Sequence, residues 1–224
     1  MQGGSGRPTA ADRAREPALV IVDMQNDFVR VGAPLEVPKA RETIEAHCRL
    51  IAAFRAAGRP VIYTRFISRP YETLLWNWSP QCRPPVRNCW KGHRRGYGDC
   101  EGARECTDVI DELRPVDGDL IVEKYGYGAF HDTGLAGRLR ALGIASLFVT
   151  GTVTQICVEE TAREAFHHGF PTTLVADAVS SFDDDLHRAT LRNFAMKFGW
   201  VENADDVIAR LNGLRNTAGV AAGG

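Results

Sequence analysis

One pattern recurs three times along this chain and limits what it can fold into: a helical stretch ends in glycine and an apolar, β-branched run follows at once. The instances are AAGRPVIYT at 56–64, ALGIASLFVTG at 141–151 and HHGFPTTLVAD at 167–177. Glycine just past a helix takes the left-handed cap conformation without penalty, and a proline soon after bars the helix from continuing. The runs Val61–Thr64, Leu147–Thr150 and Thr172–Ala176 are short and largely apolar, as strands buried on both faces should be. Ala18–Val22 and Asp119–Val122 read the same way. Between them lie helical patterns. Ile44, Cys48 and Ile51 recur at i, i+4 and i+7, flanked by Leu50 and Phe54, and 133–142, 157–168, 184–197 and 204–213 also read as helices. Strands alternating with helices form right-handed βαβ units. The expected fold is therefore α/β, a mostly parallel sheet of five or six strands with helices on both faces.

The chain's 224 residues suffice for one such domain and fall short of two. The domain is predicted over 17–213, between disordered tails at 1–16 and 214–224, which are small and polar. Residues 67–106 break the alternation. They are rich in Arg, Pro, Trp and Gly, and a connection of this length in a compact domain is a functional loop or an insertion. Its Trp76, Trp78 and Trp90 are candidates either for a lid or for pins that fasten the loop.

A net charge of −1 and a pI near 6.6 argue against nucleic acid or a membrane surface as partner. The basic cluster around Arg83, Arg87, Lys91, Arg94 and Arg95 is followed by acidic residues and reads as a solvated loop. No stretch approaches the roughly 18 apolar residues a spanning helix needs. The first 16 residues have no apolar segment of the kind a secretory leader carries, so a cytoplasmic location is expected. There the six cysteines would stay reduced, and none shows the close pairing of structural zinc sites.

Ligands of open α/β sheets sit beyond the carboxyl ends of the strands. Three chemically useful residues stand there: Asp23 after Ala18–Val22, Lys124 after Leu120–Val122, and Cys157 in the turn and helix after Leu147–Thr150. A helix N-terminus and a nearby ammonium both favour thiolate, so Cys157 is expected to be the most reactive thiol of the chain. Asp23 is placed to take the thiol proton and return it to a leaving nitrogen. Each residue has a plainer reading as core, solvated charge or cap. Arg65 and Arg69, in the loop above the strand ends, are candidates to pair with a substrate carboxylate. The histidines read plainly: His131 and His187 as helix-start or helix-face residues, His167 and His168 as cations at a helix end.

Three segments settle the choice. They are Asp23-Met-Gln25-Asn-Asp27-Phe28, Lys124 followed by Phe130, and Gly151-Thr-Val-Thr154-Gln-Ile-Cys157-Val158-Glu-Glu-Thr161-Ala162. Together they resemble the isochorismatase-like cysteine hydrolase superfamily, from about Ala18 to Leu211 apart from the insertion. The resemblance implies a doubly wound, Rossmann-like sheet and a Cys157–Asp23–Lys124 triad. It further implies a cis peptide at Thr152–Val153, an oxyanion hole from the amides of Val153 and Cys157, and assembly as a homodimer or homotetramer. Phe28, Phe130 and Thr154 are expected against the substrate. The cysteine departs from true isochorismatases, which cleave a vinyl ether without one, and points to an amide, ureido or carbamoyl C–N bond of a small molecule. Nicotinamidases of this group hold a metal through Asp-x-His after the second strand. TRFISRPYETLLWNW has neither residue, so no metal and no cofactor are expected. Gly128 stands where the family has Ser or Asn, and Gln155 where Asp or Asn is usual.

Overall fold

The structure, a computed structural model, describes residues 15–221. Six strands form one parallel sheet: β1 Pro17–Val22, β2 Val61–Phe66, β5 Leu120–Lys124, β6 Ser146–Thr152, β7 Thr172–Ser180 and β8 Trp200–Glu202. They lie in the order β5-β2-β1-β6-β7-β8, every pair parallel. A two-stranded antiparallel hairpin, β3 Arg94–Tyr97 and β4 Cys100–Glu105, stands apart within the insertion. From β1 the chain winds outward through β2 to β5. From β6 it winds the other way through β7 to β8. The direction reverses between β1 and β6, and the crevice of a doubly wound sheet opens at that point.

Helices cover both faces. On one, α1 Ile44–Ala56 and α5 Ala204–Ala221 bury Leu50, Phe54, Val207 and Leu211 against Leu19, Ile21, Tyr63 and Phe148. On the other, α2 Leu135–Ala141, α3 Glu159–His167 and α4 Asp184–Lys197 bury Leu139, Ala162 and Phe194 against Val20, Ile62, Val149 and Leu174. Alternate residues of each strand therefore enter different cores, and every residue of β1 is buried. That is why these strands read as continuous apolar runs.

The structure departs from the sequence reading at two places. The last helix continues to Ala221, through residues expected to be a tail, because extending an existing helix costs far less than starting one. Arg15 and Glu16, assigned to the N-terminal tail, instead bind the start of the central strand β6. The Arg15 carbonyl accepts from Ser146 Oγ, and the Glu16 carbonyl accepts from the Ala145 amide. The rest of the predicted tails, 1–14 and 222–224, lies outside the described residues. Residues 67–106 form the long insertion expected between β2 and β5. They contain the helical turn Leu75–Trp78, a 3₁₀ turn at Pro80–Cys82 and the hairpin.

The insertion is fastened by side chains. The buried Asp27 carboxylate accepts from the Tyr97 hydroxyl at 2.7 Å and the Cys89 amide at 2.7 Å, and pairs with Arg95 Nε at 2.9 Å. Gln25 acts as a piece of backbone: its Oε1 accepts from the Phe66 amide, and its Nε2 donates to the carbonyls of Phe66 and Thr107. Trp76 stacks on Trp90, ring centroids 6.4 Å apart, so these two rings pin the loop.

Candidate active site

The chain turns sharply after β1. Asp23 has φ +50°, a left-handed conformation that aspartate tolerates better than most residues. The turn sets the carboxylate beside Thr64, one strand over. Thr64 Oγ1 donates to Asp23 Oδ1 at 2.6 Å and accepts from the Asp23 amide at 3.2 Å. Lys124, at the end of β5, crosses under β2 to place Nζ 2.7 Å from Asp23 Oδ2, both side chains out of contact with solvent. Its remaining protons go to the carbonyls of Gly126 at 3.1 Å and Tyr127 at 2.8 Å. A buried ammonium thus has a carboxylate and two carbonyl oxygens as partners, as burial of a charge requires.

The carbonyls are themselves held. The Ala129 amide donates to Thr161 Oγ1 and the Phe130 amide to Glu164 Oε2, both on α3. A Cβ on residue 128 would stand 2.2 Å from that carboxylate oxygen, so Glu164 occupies the space a side chain at Gly128 would need. This explains why glycine replaces the expected Ser or Asn there.

The third strand end bends. Gly151 has φ +106°, and a Cβ on it would lie 2.0 Å from the Val22 carbonyl oxygen, so only glycine lets β6 approach β1 this closely. The β6–β7 register shifts between Val149 and Gly151. The Thr152–Val153 peptide is cis. A π-helical turn, Thr154–Val158, then carries Cys157 inward ahead of α3. Cys157 is buried and within hydrogen-bonding reach of both Asp23 and Lys124.

Electrostatics correct one expectation. Burial pushes the Cys157 thiol up to about 12, and the pull of Lys124 toward thiolate does not offset it, partly because Asp23 opposes that pull. For Lys124, burial works against the charge, but Asp23 and Cys157 beside it outweigh that and raise it. The resting trio is an ammonium–carboxylate pair next to a protonated thiol. The expected resting thiolate is not what this environment stabilises.

Above the thiol opens a cavity of about 460 Å³. Of the trio only Cys157 reaches its wall. Phe28 and Val153 line it, joined by Phe66, Leu75, Trp78, Tyr127 and Phe182. Other expected contacts lie elsewhere. Arg65 pairs with Asp108 at 3.1 Å and Glu123 at 2.7 Å beside a separate, charged cleft. Arg69 lies over the Tyr125 ring, 4.1 Å from its centroid, and donates to the Tyr71 hydroxyl. Neither arginine enters the cavity. Phe130 is packed in the core between His168 and Phe170 and is not part of the wall. Thr154 Oγ1 shares a hydrogen bond with His187 Nδ1 at 2.9 Å, which ties the cysteine turn to α4 and keeps Thr154 off the wall. Phe66 and Phe182 were not anticipated. They sit at the ends of β2 and just past β7, where the strand-end rule that located Asp23 would also have found them.

The chain is similar to known proteins in sequence and in fold. The Isochorismatase domain family matches residues 17–206. The ureidoacrylate amidohydrolase of Pseudomonas savastanoi pv. phaseolicola is 34% identical over 203 residues, covering 85% of this chain and 82% of that protein. A cysteine hydrolase from Pseudomonas syringae pv. phaseolicola superposes with a TM-score of 0.79 at 27% identity, covering 93% of this chain and 96% of the other. N-carbamoylsarcosine amidase from Thermoplasma acidophilum superposes with a TM-score of 0.66 at 31% identity, covering 84% and 96%.

Proposed function

The chain belongs to the isochorismatase domain family, and from that premise we propose that it hydrolyses an amide, ureido or carbamoyl C–N bond of a small molecule through a covalent intermediate on Cys157. The observation that carries the reading is the thiol of Cys157 in reach of both Asp23 and Lys124 at the floor of a cavity.

The steps follow from the positions. As Cys157 Sγ attacks the substrate carbonyl carbon, its proton passes to Asp23 and a C–S bond forms. A thiol that holds its proton at rest needs such an acceptor at the moment of attack. Lys124 stays against both groups and stabilises the negative charge that develops on them. The amides of Val153 and Cys157 are assigned to the carbonyl oxygen as it becomes an oxyanion. Asp23 then gives its proton to the leaving nitrogen and the C–N bond breaks. Water attacks the thioester-type intermediate, Asp23 takes a proton from that water, the C–S bond breaks, and Asp23 returns the proton to sulfur. None of these steps calls for a metal or a cofactor.

The six free thiols suit a reducing compartment, and among the described residues no helix is long and apolar enough to cross a membrane. We assign the protein to the cytoplasm and to a homodimer or homotetramer on the pattern of its family, with a small-molecule substrate as its partner. Cys157→Ser tests the mechanism. It should lower ammonia release to below about one per cent of wild type while the thermal melt stays within a few degrees, and intact mass spectrometry should find the substrate adduct on the wild-type protein alone. Substantial turnover by the serine variant would remove Cys157 from the chemistry.

A further inference from the structure

The wall of the cavity has a chemical bias that the triad does not explain. Five aromatic rings face it, Phe28, Phe66, Trp78, Tyr127 and Phe182, with Leu75 among them. Three of these rings remain in solvent although they are large and apolar: Trp78 is 80% exposed, Phe182 60% and Tyr127 38%. Glu36 is the one charged residue of the wall, and both its oxygens are engaged. Oε2 accepts from the Gly32 amide at 2.9 Å and Oε1 pairs with Arg41 at 2.8 Å. Arg41 donates from its other terminal nitrogen to the Val29 carbonyl.

The wall of the cavity carries no cation. Lys124 is held by Asp23 and two carbonyls, Arg65 by Asp108 and Glu123, and Arg69 by Tyr71 and Tyr125. A carboxylate entering this cavity would lose water and gain no ionic partner, which is unfavourable. A flat apolar group would cover rings that are otherwise wet.

We infer that the group flanking the scissile C–N bond is uncharged and apolar, of aromatic size, and that carboxylate-bearing ureides of the ureidoacrylate kind are poor substrates of this chain. The inference rests on the hydrolase reading and narrows it to a substrate class. Trp78 and Phe182 form the mouth and grip that group. The reactive carbonyl then lies over Cys157.

Three matched amides test it: 3-phenylpropanamide, the succinamate anion of similar length, and a trimethylammonium analogue. Ammonia release should give the phenyl amide a kcat/KM at least tenfold above either charged one. Trp78→Ala and Phe182→Ala should raise KM for the phenyl amide about tenfold with kcat within about threefold. Trp78→Phe and Phe182→Tyr, which keep a ring at the mouth, should recover most of that loss, which sets a gripping role apart from a merely structural one. Binding to Cys157→Ala, followed by calorimetry, reads the same preference without turnover. Equal or tighter binding of succinamate, or of the cationic amide, overturns the inference and leaves the hydrolase reading standing. Selective binding of the phenyl amide with no ammonia and no Cys157 adduct in the wild type supports the inference and tells against the hydrolase reading.

Discussion

At the scale of single residues, the thiol is set by competition between burial and charge. Lys124 lies close enough to favour thiolate, yet its charge is already committed to Asp23 at 2.7 Å, and the surrounding core disfavours a second anion. With the thiol near 12, ionisation rises with pH through the alkaline range and contributes little at neutrality. Brief labelling of the free enzyme with iodoacetamide at pH 7 should therefore modify exposed Cys48 at least as fast as Cys157, with the Cys157 rate still climbing above pH 9. Peptide mapping across pH measures this, and a Cys157 rate that is fastest and level by pH 7 contradicts the assignment. Sequence alone pointed the other way, since a helix start and a lysine were legible there and depth of burial was not. It located Asp23, Lys124 and Cys157 because each follows an unmistakable apolar run. It misplaced Arg65 because side-chain direction depends on register: Arg65 stands opposite Glu123 on the neighbouring strand and points away from the face on which Thr64 meets Asp23.

Among the elements, β6 carries the geometry. Its last residues leave the β7 register and crowd β1, and this brings the cysteine turn over Asp23. The crowding depends on Gly151, whose missing Cβ faces backbone, which cannot yield as a flexible side chain can. Gly151→Ala should cost more than about 3 kcal/mol, larger than an ordinary substitution and large enough to abolish activity. Gly137→Ala, on the exposed face of α2 with open space around it, should be nearly neutral or mildly stabilising. Chemical denaturation of both variants makes the comparison, and equal midpoints would show that the close approach is not needed. The strands β1, β2, β6 and β7 were legible because two-sided burial gives runs of one character. The short strand β8, half-buried at the sheet edge, gives no such run. Nor does the insertion, whose order comes from Asp27, Gln25 and stacked tryptophans rather than from periodicity.

For the whole molecule, both cores meet at the sheet and a buried group in either one affects the stability of all. His47 on α1 is fully buried and its Nδ1 faces the Thr43 carbonyl at 2.8 Å. Burial lowers it to about 4 from its ordinary value of 6.5. Folded protein therefore keeps His47 neutral while unfolded chains protonate it below about 6.5. Its stabilising contribution is present above that pH and is lost as pH falls toward 4. At pH 5 the loss is about 2 kcal/mol relative to pH 8. Urea melts of wild type and His47→Gln at the two values test this, and the variant's acid loss should be smaller by about that amount. Identical losses would move the acid sensitivity to another group.

The grip of Gln25 has a consequence for how this enzyme can change. One carboxamide holds both Phe66, where the chain leaves the sheet, and Thr107, just past the hairpin that ends the insertion. The excursion between them begins and ends at a single clasp, and closing a loop of greater length costs only slightly more entropy. Leu75 and Trp78 of the cavity wall ride on that excursion, while Asp23, Lys124 and Cys157 belong to the sheet beneath. The segment from 67 to 106 is thus an exchangeable cassette, through which lineages or engineers can alter what is accepted while leaving the reaction itself untouched.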